Sequence, residues 1–144
     1  GRRLVFERRR ALDANLARRG AADRFLHTLP YNARTTASDA LWAGLPVLTC
    51  MGDAFASRVA ASLLNAVGLP ELITHTREEY EELAIELATN AAKIRMLRCR
   101  LETNRLTAPL FATPLFTNHI EAAYMTTYDR YQFGLPPWHI YVDP

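Results

Sequence analysis

Residues 34 to 50, RTTASDALWAGLPVLTC, combine groups that can bind phosphate with the pattern of a helix that leads into a strand. Thr35, Thr36 and Ser38 place hydroxyl groups at the predicted start of the helix. The first backbone N–H groups of a helix have no acceptor inside it, and the helix dipole is positive there. Such a helix start is suited to a phosphate or diphosphate. Arg34, directly before the threonines, can add a charged hydrogen bond to that phosphate.

Asp39 lies one turn into the same helix. Its carboxylate can accept hydrogen bonds from a ribose diol, as the acidic residue of a dinucleotide-binding fold does. These residues also have a purely structural explanation, because Thr and Ser are common N-caps and Asp complements the helix dipole. From the residue types alone, a nucleotide site and an ordinary helix start both remain open.

The segments around this helix predict an α/β fold, because short apolar segments alternate with helical ones. This alternation is typical of a parallel sheet with helices on both faces. Strands are predicted at residues 3–6, 24–29, 46–50 and 71–74. Helices are predicted at residues 12–20, 35–44, 53–68, 76–90, 91–106 and 117–134. We therefore expect a partial Rossmann-like sheet of about four strands with a helical C-terminal cover. Ligands of such sheets bind beyond the carboxyl ends of the strands, where the loop 29–34 leads into the helix at Thr35.

Several predicted helix ends carry cap signals. Gly44 can close the helix that begins at Thr35, and Pro46 forbids its continuation. Thr76 followed by Glu79 matches a capping box at the start of the helix 76–90.

The last predicted helix carries three tyrosines, Tyr124, Tyr128 and Tyr131. We expect these rings to pack in the core with their hydroxyls toward water. An exposed apolar stripe on this helix would instead mark the surface of a missing partner. The tail, residues 135–144, is expected to pack loosely or to be disordered.

Composition indicates a soluble globular domain of 144 residues with 49% hydrophobic and 22% charged residues. No apolar run is long enough to span a membrane, and the basic N-terminus lacks the apolar segment of a secretory signal. Cys50 and Cys99 have no metal-ligand or redox spacing, so they are interpreted as reduced thiols in a cytoplasmic protein. The four histidines likewise lack metal-ligand spacing.

Residues 1 to 24 hold eight arginines and three acidic residues, a net charge of +5 within a chain of net charge +2. This basic end favours an anionic partner, or it forms a solvated surface. Nucleic acid is the less favoured partner, because the run lacks interleaved aromatics and any nucleic-acid motif.

Four strings in the sequence closely resemble a known enzyme family. They are TTASDALWAGLPVLT, FASRVAASLL, GLPELIT followed by EEYEELAIELAT, and PLF. Together they resemble the C-terminal part of the catalytic region of O-linked N-acetylglucosamine transferases and their bacterial SPINDLY-like relatives. The resemblance covers roughly residues 3 to 134.

The resemblance implies a GT-B architecture with two Rossmann-like domains. It also implies inverting transfer of N-acetylglucosamine from UDP-GlcNAc to Ser or Thr of proteins, without a metal or other cofactor. In this family tetratricopeptide repeats precede the catalytic region and select protein substrates. Residues 1–134 would then be the second half of the C-terminal nucleotide-sugar-binding domain, followed by the tail 135–144.

The family's site residues map onto several positions of this chain. By resemblance, Thr35 and Thr36 bind the diphosphate and Asp39 contacts the ribose. By resemblance, Asn15 lies in the segment that contacts uracil. Arg18 matches an arginine that follows this segment in the family.

The chain departs from the family pattern at four positions. Arg34 and Asn15 each stand where the family usually has a histidine, Leu12 where it has a lysine, and His27 where many members have an aspartate. Arg34 can still hold phosphate, and Asn15 can still hydrogen-bond a base.

The resemblance places the catalytic lysine, the rest of this domain and the N-terminal catalytic domain upstream of Gly1. We therefore expect no catalytic residue within the 144 residues and no transferase activity from the chain alone. The departures leave a second hypothesis open, in which the chain is a non-catalytic protein-interaction module with a degenerate donor site.

Overall fold

The structure is a computed structural model that describes residue 8 and residues 11–142. In chain order the elements are α1 (Leu12–Arg19), β1 (Phe25–Leu26), α2 (Thr35–Trp42), β2 (Val47–Cys50), α3 (Phe55–Ala66), β3 (Ile73–Thr74), α4 (Arg77–Thr89), α5 (Ala91–Asn104) and α6 (Thr113–Gln132). Two short 3₁₀ turns, Pro70–Leu72 and Pro109–Phe111, precede β3 and α6.

The sheet is parallel, with strand order β1-β2-β3. Val47, Leu48 and Thr49 of the central strand are each at most 1% exposed. Consecutive strand residues point to opposite faces, so both faces of the sheet are covered. The predicted α/β class with helices on both faces is therefore confirmed. The described part has three strands where about four were predicted, and the candidate strand 3–6 lies outside the described residues.

The strands are shorter than predicted. Of the segment 24–29, only Phe25 and Leu26 form β1, although the His27 N–H still donates to the Leu48 carbonyl at 3.3 Å. Of the segment 71–74, the first half belongs to a 3₁₀ turn that begins at Pro70. Proline has no N–H for a sheet ladder, whereas it fits the first position of a helical turn.

Glycines in the left-handed conformation end α2 and α3. Gly44 has φ +78° and Gly68 has φ +74°. In each case the next N–H reaches back to the helix, from Leu45 to the Ala40 carbonyl and from Leu69 to the Leu64 carbonyl, both at 2.9 Å. This is the Schellman arrangement, which turns the chain sharply and buries the leucine that follows.

The capping box predicted at the start of α4 is confirmed. The Thr76 hydroxyl accepts from the Glu79 N–H at 3.1 Å, and the Glu79 carboxylate accepts from the Thr76 N–H at 3.3 Å. The His75 N–H also donates to that carboxylate at 2.8 Å. These backbone donors hold the pKa of Glu79 below its ordinary value.

Leucines and alanines from α2, α3 and α5 form the main core, together with Val47 of the sheet and the leucines after the two Schellman turns. Among the fully buried side chains are Leu41, Leu64, Leu97 and Leu101. The core fixes α2 against the sheet, and α2 is the helix whose start was predicted to bind phosphate.

Helix α6 begins at Thr113, four residues earlier than predicted, and none of its residues is buried. The prediction that its tyrosines pack in the core is wrong, because Tyr124, Tyr128 and Tyr131 are 59–77% exposed. Nothing in the described part of the chain covers that face. No helix or strand occurs in residues 135–142, where the Arg130 guanidinium donates to the Pro136 carbonyl at 2.6 Å. None of the helices in the described residues has the length and apolar character needed to cross a bilayer.

Candidate functional site

A buried asparagine fixes the loop that leads into α2. Asn32 is 0% exposed, and its amide donates to the Cys50 carbonyl at 3.2 Å and the Ser57 carbonyl at 2.8 Å. These bonds join the loop to the end of β2 and to α3. Sequence reasoning missed this residue, because its partners are 18 and 25 positions away along the chain. Asn32 therefore anchors the loop that leads into α2 to β2 and α3.

The start of α2 offers two backbone N–H groups. The N–H groups of Ala37 and Ser38 donate to the Arg34 carbonyl at 3.1 and 3.0 Å. Those of Thr35 and Thr36 have no acceptor among the described residues, and no side chain caps the helix. Thr35 and Thr36 are exposed. They occupy the first two helical positions rather than the cap position, so the explanation of these threonines as N-caps does not hold.

Arg19, from the end of α1, contacts this first turn. Its Nη1 donates to the Thr36 carbonyl at 2.7 Å, and its Nη2 lies 3.8 Å from a carboxylate oxygen of Asp39. The Arg19 side chain is 12% exposed and that of Asp39 is 35% exposed. The Asp39 carboxylate is therefore accessible to a ligand while it faces a fixed cation.

A cleft of about 740 Å³ opens between α1, the start of β1, the first turn of α2 and Leu45, which precedes β2. Its sheet residues therefore lie at the amino ends of β1 and β2, whereas the sequence predicted a ligand beyond the carboxyl ends of the strands. The cleft brings together three of the six predicted site residues, Asn15, Arg18 and Thr36. Asp39 is joined to the cleft through Arg19, which lines it. Leu12, which departs from the family pattern, is the first residue of α1, one of the helices beside this cleft. Its side chain is not among those that the structure describes.

The other two predicted residues, Thr35 and Arg34, are not among those that line the cleft. Thr35 is exposed next to Thr36. Arg34 turns toward Tyr31, donating to its hydroxyl, with the guanidinium carbon 5.6 Å from the ring centroid. The hydrogen bond and the cation–π contact both direct the Arg34 guanidinium toward Tyr31 of the loop before α2. Its predicted phosphate contact stays a prediction.

The cleft has a positive lining. Arg18, Arg19 and Arg24 line it, and the positive end of the α2 dipole adds to them. The Nε atoms of Arg19 and Arg24 are buried and have no hydrogen-bond partner within the described part of the chain. Arg19 and Arg24 were not predicted as site residues, although their place in the arginine-rich N-terminal segment is a signal that could have found them. This arrangement is suited to an anion.

A second cleft, of about 470 Å³, lies at the carboxyl ends of β2 and β3. Tyr31, Cys50, Asp53, His75 and Arg77 are among its lining residues. Tyr31 belongs to the loop before α2, so this cleft adjoins the start of that helix on the side of Arg34.

His27 is buried at the end of β1, where the site loop begins. Its Nδ1 lies 3.0 Å from the Thr49 hydroxyl, and its Nε2 is buried without a partner among the residues that the structure describes. Burial lowers the pKa of His27 to about 4, so the imidazole is neutral at pH 7. The Tyr80 hydroxyl donates to the His27 carbonyl at 2.9 Å. Within residues 11–142 no three His, Cys, Asp or Glu side chains are grouped to hold a metal ion.

Comparison with known proteins decides the family. A sequence model of glycosyl transferase family 41 matches residues 1–120. The chain belongs to glycosyl transferase family 41. The family 41 chain is 36% identical over 138 residues to a UDP-N-acetylglucosamine–peptide N-acetylglucosaminyltransferase of Caenorhabditis elegans, covering 96% of this chain and 12% of that protein. It is 40% identical over 122 residues to a probable enzyme of the same description, SEC, of Arabidopsis thaliana, covering 84% of this chain and 12% of that protein.

A solved structure agrees with this family assignment. A mutant of the O-GlcNAc transferase of Thermobaculum terrenum matches with a TM-score of 0.70 and 36% sequence identity, over 77% of this chain and 21% of that one. The predicted resemblance and the GT-B type of fold are thereby confirmed. The family 41 chain spans about an eighth of the length of the two curated relatives described above.

Proposed function

We propose that this chain is the UDP-binding part of a glycosyltransferase that transfers N-acetylglucosamine from UDP-GlcNAc to Ser or Thr of proteins. The observation that carries the proposal is the start of α2, where the N–H groups of Thr35 and Thr36 have no acceptor among the described residues and Thr36 lines an arginine-lined cleft. The relatives named above support the donor and the acceptor class, because their names describe N-acetylglucosaminyl transfer from UDP-N-acetylglucosamine to peptide.

The proposal assigns a part of UDP to each group. The diphosphate accepts from the N–H groups of Thr35 and Thr36 and from the Thr36 hydroxyl, and Asp39 accepts from the ribose. Asn15 faces the uracil, and Arg18 lies beside it.

These groups would act mainly in the transition state. In inverting transfer the acceptor hydroxyl oxygen bonds to the anomeric carbon while the bond from that carbon to the β-phosphate oxygen breaks. The hydroxyl proton would pass to a base elsewhere in the longer protein, and negative charge grows on the departing UDP. Preorganised donors aimed at that charge lower the barrier. The proposal needs no metal ion for this step, because the helix start and the arginines supply the positive charge.

The rest of the proposal concerns the longer protein. Residues 1–134 are proposed to be the second half of a GT-B C-terminal domain, and residues 135–144 its tail. The catalytic lysine, the acceptor site and tetratricopeptide repeats would lie upstream, so the 144 residues alone are proposed to transfer no sugar. The cytoplasmic location stays a prediction.

A transfer assay tests the proposal. The full-length protein should move labelled N-acetylglucosamine from UDP-GlcNAc to protein, and GDP-fucose should not serve as donor. Asp39→Ala and Thr36→Val should lower the rate by about tenfold or more, the size of a lost charged hydrogen bond, and thermal unfolding checks that both variants are folded at the assay temperature. Transfer that is unaffected by both substitutions would refute the assigned site.

A second candidate function is a non-catalytic protein-interaction module. The exposed aromatic face of α6 favours it, because large exposed apolar patches mark interaction surfaces. Absence of UDP binding by the folded full-length protein would favour this alternative over the transferase.

A further inference from the structure

Arg19 occupies an electrostatically unusual position. It is a nearly buried cation against the first turn of α2, where the helix dipole is already positive and favours anions. Asp39 is the carboxylate at ion-pair distance from it, at 3.8 Å. Because its Nε has no partner in the described part of the chain, Arg19 has spare capacity to donate.

In the proposed function, the negative charge of Asp39 lies at an unfavourable place. A carboxylate one turn into α2 lies near the place proposed for the diphosphate, and the two negative charges repel each other. A cation at 3.8 Å offsets the charge of Asp39 and restricts where its carboxylate can point.

Resting on the proposed function, we propose that Arg19 is a positioning residue of the nucleotide site. It orients the Asp39 carboxylate toward the ribose diol and offsets its charge beside the diphosphate. Its bond to the Thr36 carbonyl also ties the first turn of α2 to α1, which carries Asn15 and Arg18. Arg19 therefore sets the preference of the site for a ribonucleotide over a deoxyribonucleotide.

Arg98 provides a matched control. Its side chain also makes one ion pair at 3.8 Å, with Asp23, and one hydrogen bond to a carbonyl, that of Gly20 at 3.4 Å. These contacts hold the same end of α1 but do not involve α2. If Arg19 only holds α1 in place, Arg98→Gln and Arg19→Gln should have the same effect on nucleotide binding.

The test is calorimetric titration of the full-length protein with UDP and with 2′-deoxy-UDP. The unsubstituted protein should prefer UDP by about tenfold, the size of one hydrogen bond to a charged group. Arg19→Gln should weaken UDP binding by about tenfold and remove most of that preference, while Arg98→Gln keeps it. In an Asp39→Asn background, Arg19→Gln should have little further effect on the preference, because the two residues act as one unit.

Arg19→Lys is a second variant that tests the same role if Arg19→Gln does not fold. Lysine keeps the charge but cannot form both contacts in the fork geometry of arginine, so it should also narrow the preference for UDP.

Three results would overturn the inference. If Arg19→Gln and Arg19→Lys keep the preference for UDP, Arg19 does not position Asp39. If Arg19→Gln and Arg98→Gln weaken both nucleotides equally, the role of Arg19 is only structural. If the unsubstituted protein binds no UDP, the proposed function falls and this inference with it, which separates that failure from the first two.

Discussion

Lowering the pH from 7 to 4 should destabilise the protein through one buried side chain, His27. Burial holds its pKa at about 4 in the folded state, against an ordinary value of 6.5. The unfolded chain therefore takes up the proton first as the pH falls. The stabilisation from neutral His27 is complete above pH 6.5 and is lost as the pH falls through 4.

The size of the effect follows from the pKa difference. A shift from 6.5 to about 4 corresponds to about 3 kcal/mol in the free energy of unfolding, with about 2 kcal/mol already lost at pH 5. The imidazolium form would also bring a charge to Nε2, which has no hydrogen-bond partner in the described part of the chain.

Urea unfolding between pH 4 and 7.5 measures this loss. His27→Asn keeps a polar group near the Thr49 hydroxyl and removes the titration, so its free energy of unfolding should fall less steeply below pH 6.5. His139→Asn, at an exposed position, should retain the slope of the unsubstituted protein. Equal slopes for His27→Asn and the unsubstituted protein would refute the assignment of the acid sensitivity to burial of His27.

Further predictions concern the loop, the turns and the nucleotide. Asn32→Ala removes one buried and one part-buried hydrogen bond to carbonyls and should lower the free energy of unfolding, measured in urea, by about 2–3 kcal/mol. A smaller loss would contradict the anchoring role of Asn32. Gly68→Ala should lower the free energy of unfolding more than Gly134→Ala does in the same assay. Both glycines have positive φ, but a Cβ at Gly68 would lie 2.8 Å from the Asn104 amide, whereas a Cβ at Gly134 would have no atom within 4 Å. Equal losses would show that the backbone conformation alone sets the cost. UDP binding should weaken as salt rises, because an arginine-lined cleft is screened by ions, and salt-independent binding would contradict the positive lining.

Local signals made much of the fold predictable from the sequence. The ends of α2 and α3 follow from glycines with left-handed φ, and the start of α4 follows from the Thr76–Glu79 box. These features need only neighbours within a few residues. Strand lengths were less predictable, because a strand extends only over the residues that pair with a neighbouring strand. Of residues 24–29, for example, only Phe25 and Leu26 form β1.

Long-range contacts explain what the sequence did not reveal. The start of α2 was predicted as an anion site, but Arg19 and Asn32 were not, because their roles depend on partners 17 to 25 residues away. The error at Tyr124, Tyr128 and Tyr131 has a related cause. A helical pattern shows which face is apolar, but not whether a neighbour covers it.

The first turn of α2 and the arginine-lined cleft are proposed to hold UDP. Calorimetric titration of the full-length protein with UDP at low salt, beside Thr36→Val and Asp39→Ala, measures that binding. We predict a saturable exothermic isotherm for the unsubstituted protein and affinity at least about tenfold weaker in each variant, the size of one lost hydrogen bond to a charged group. No binding by the folded protein, or equal affinity in all three, would contradict the account.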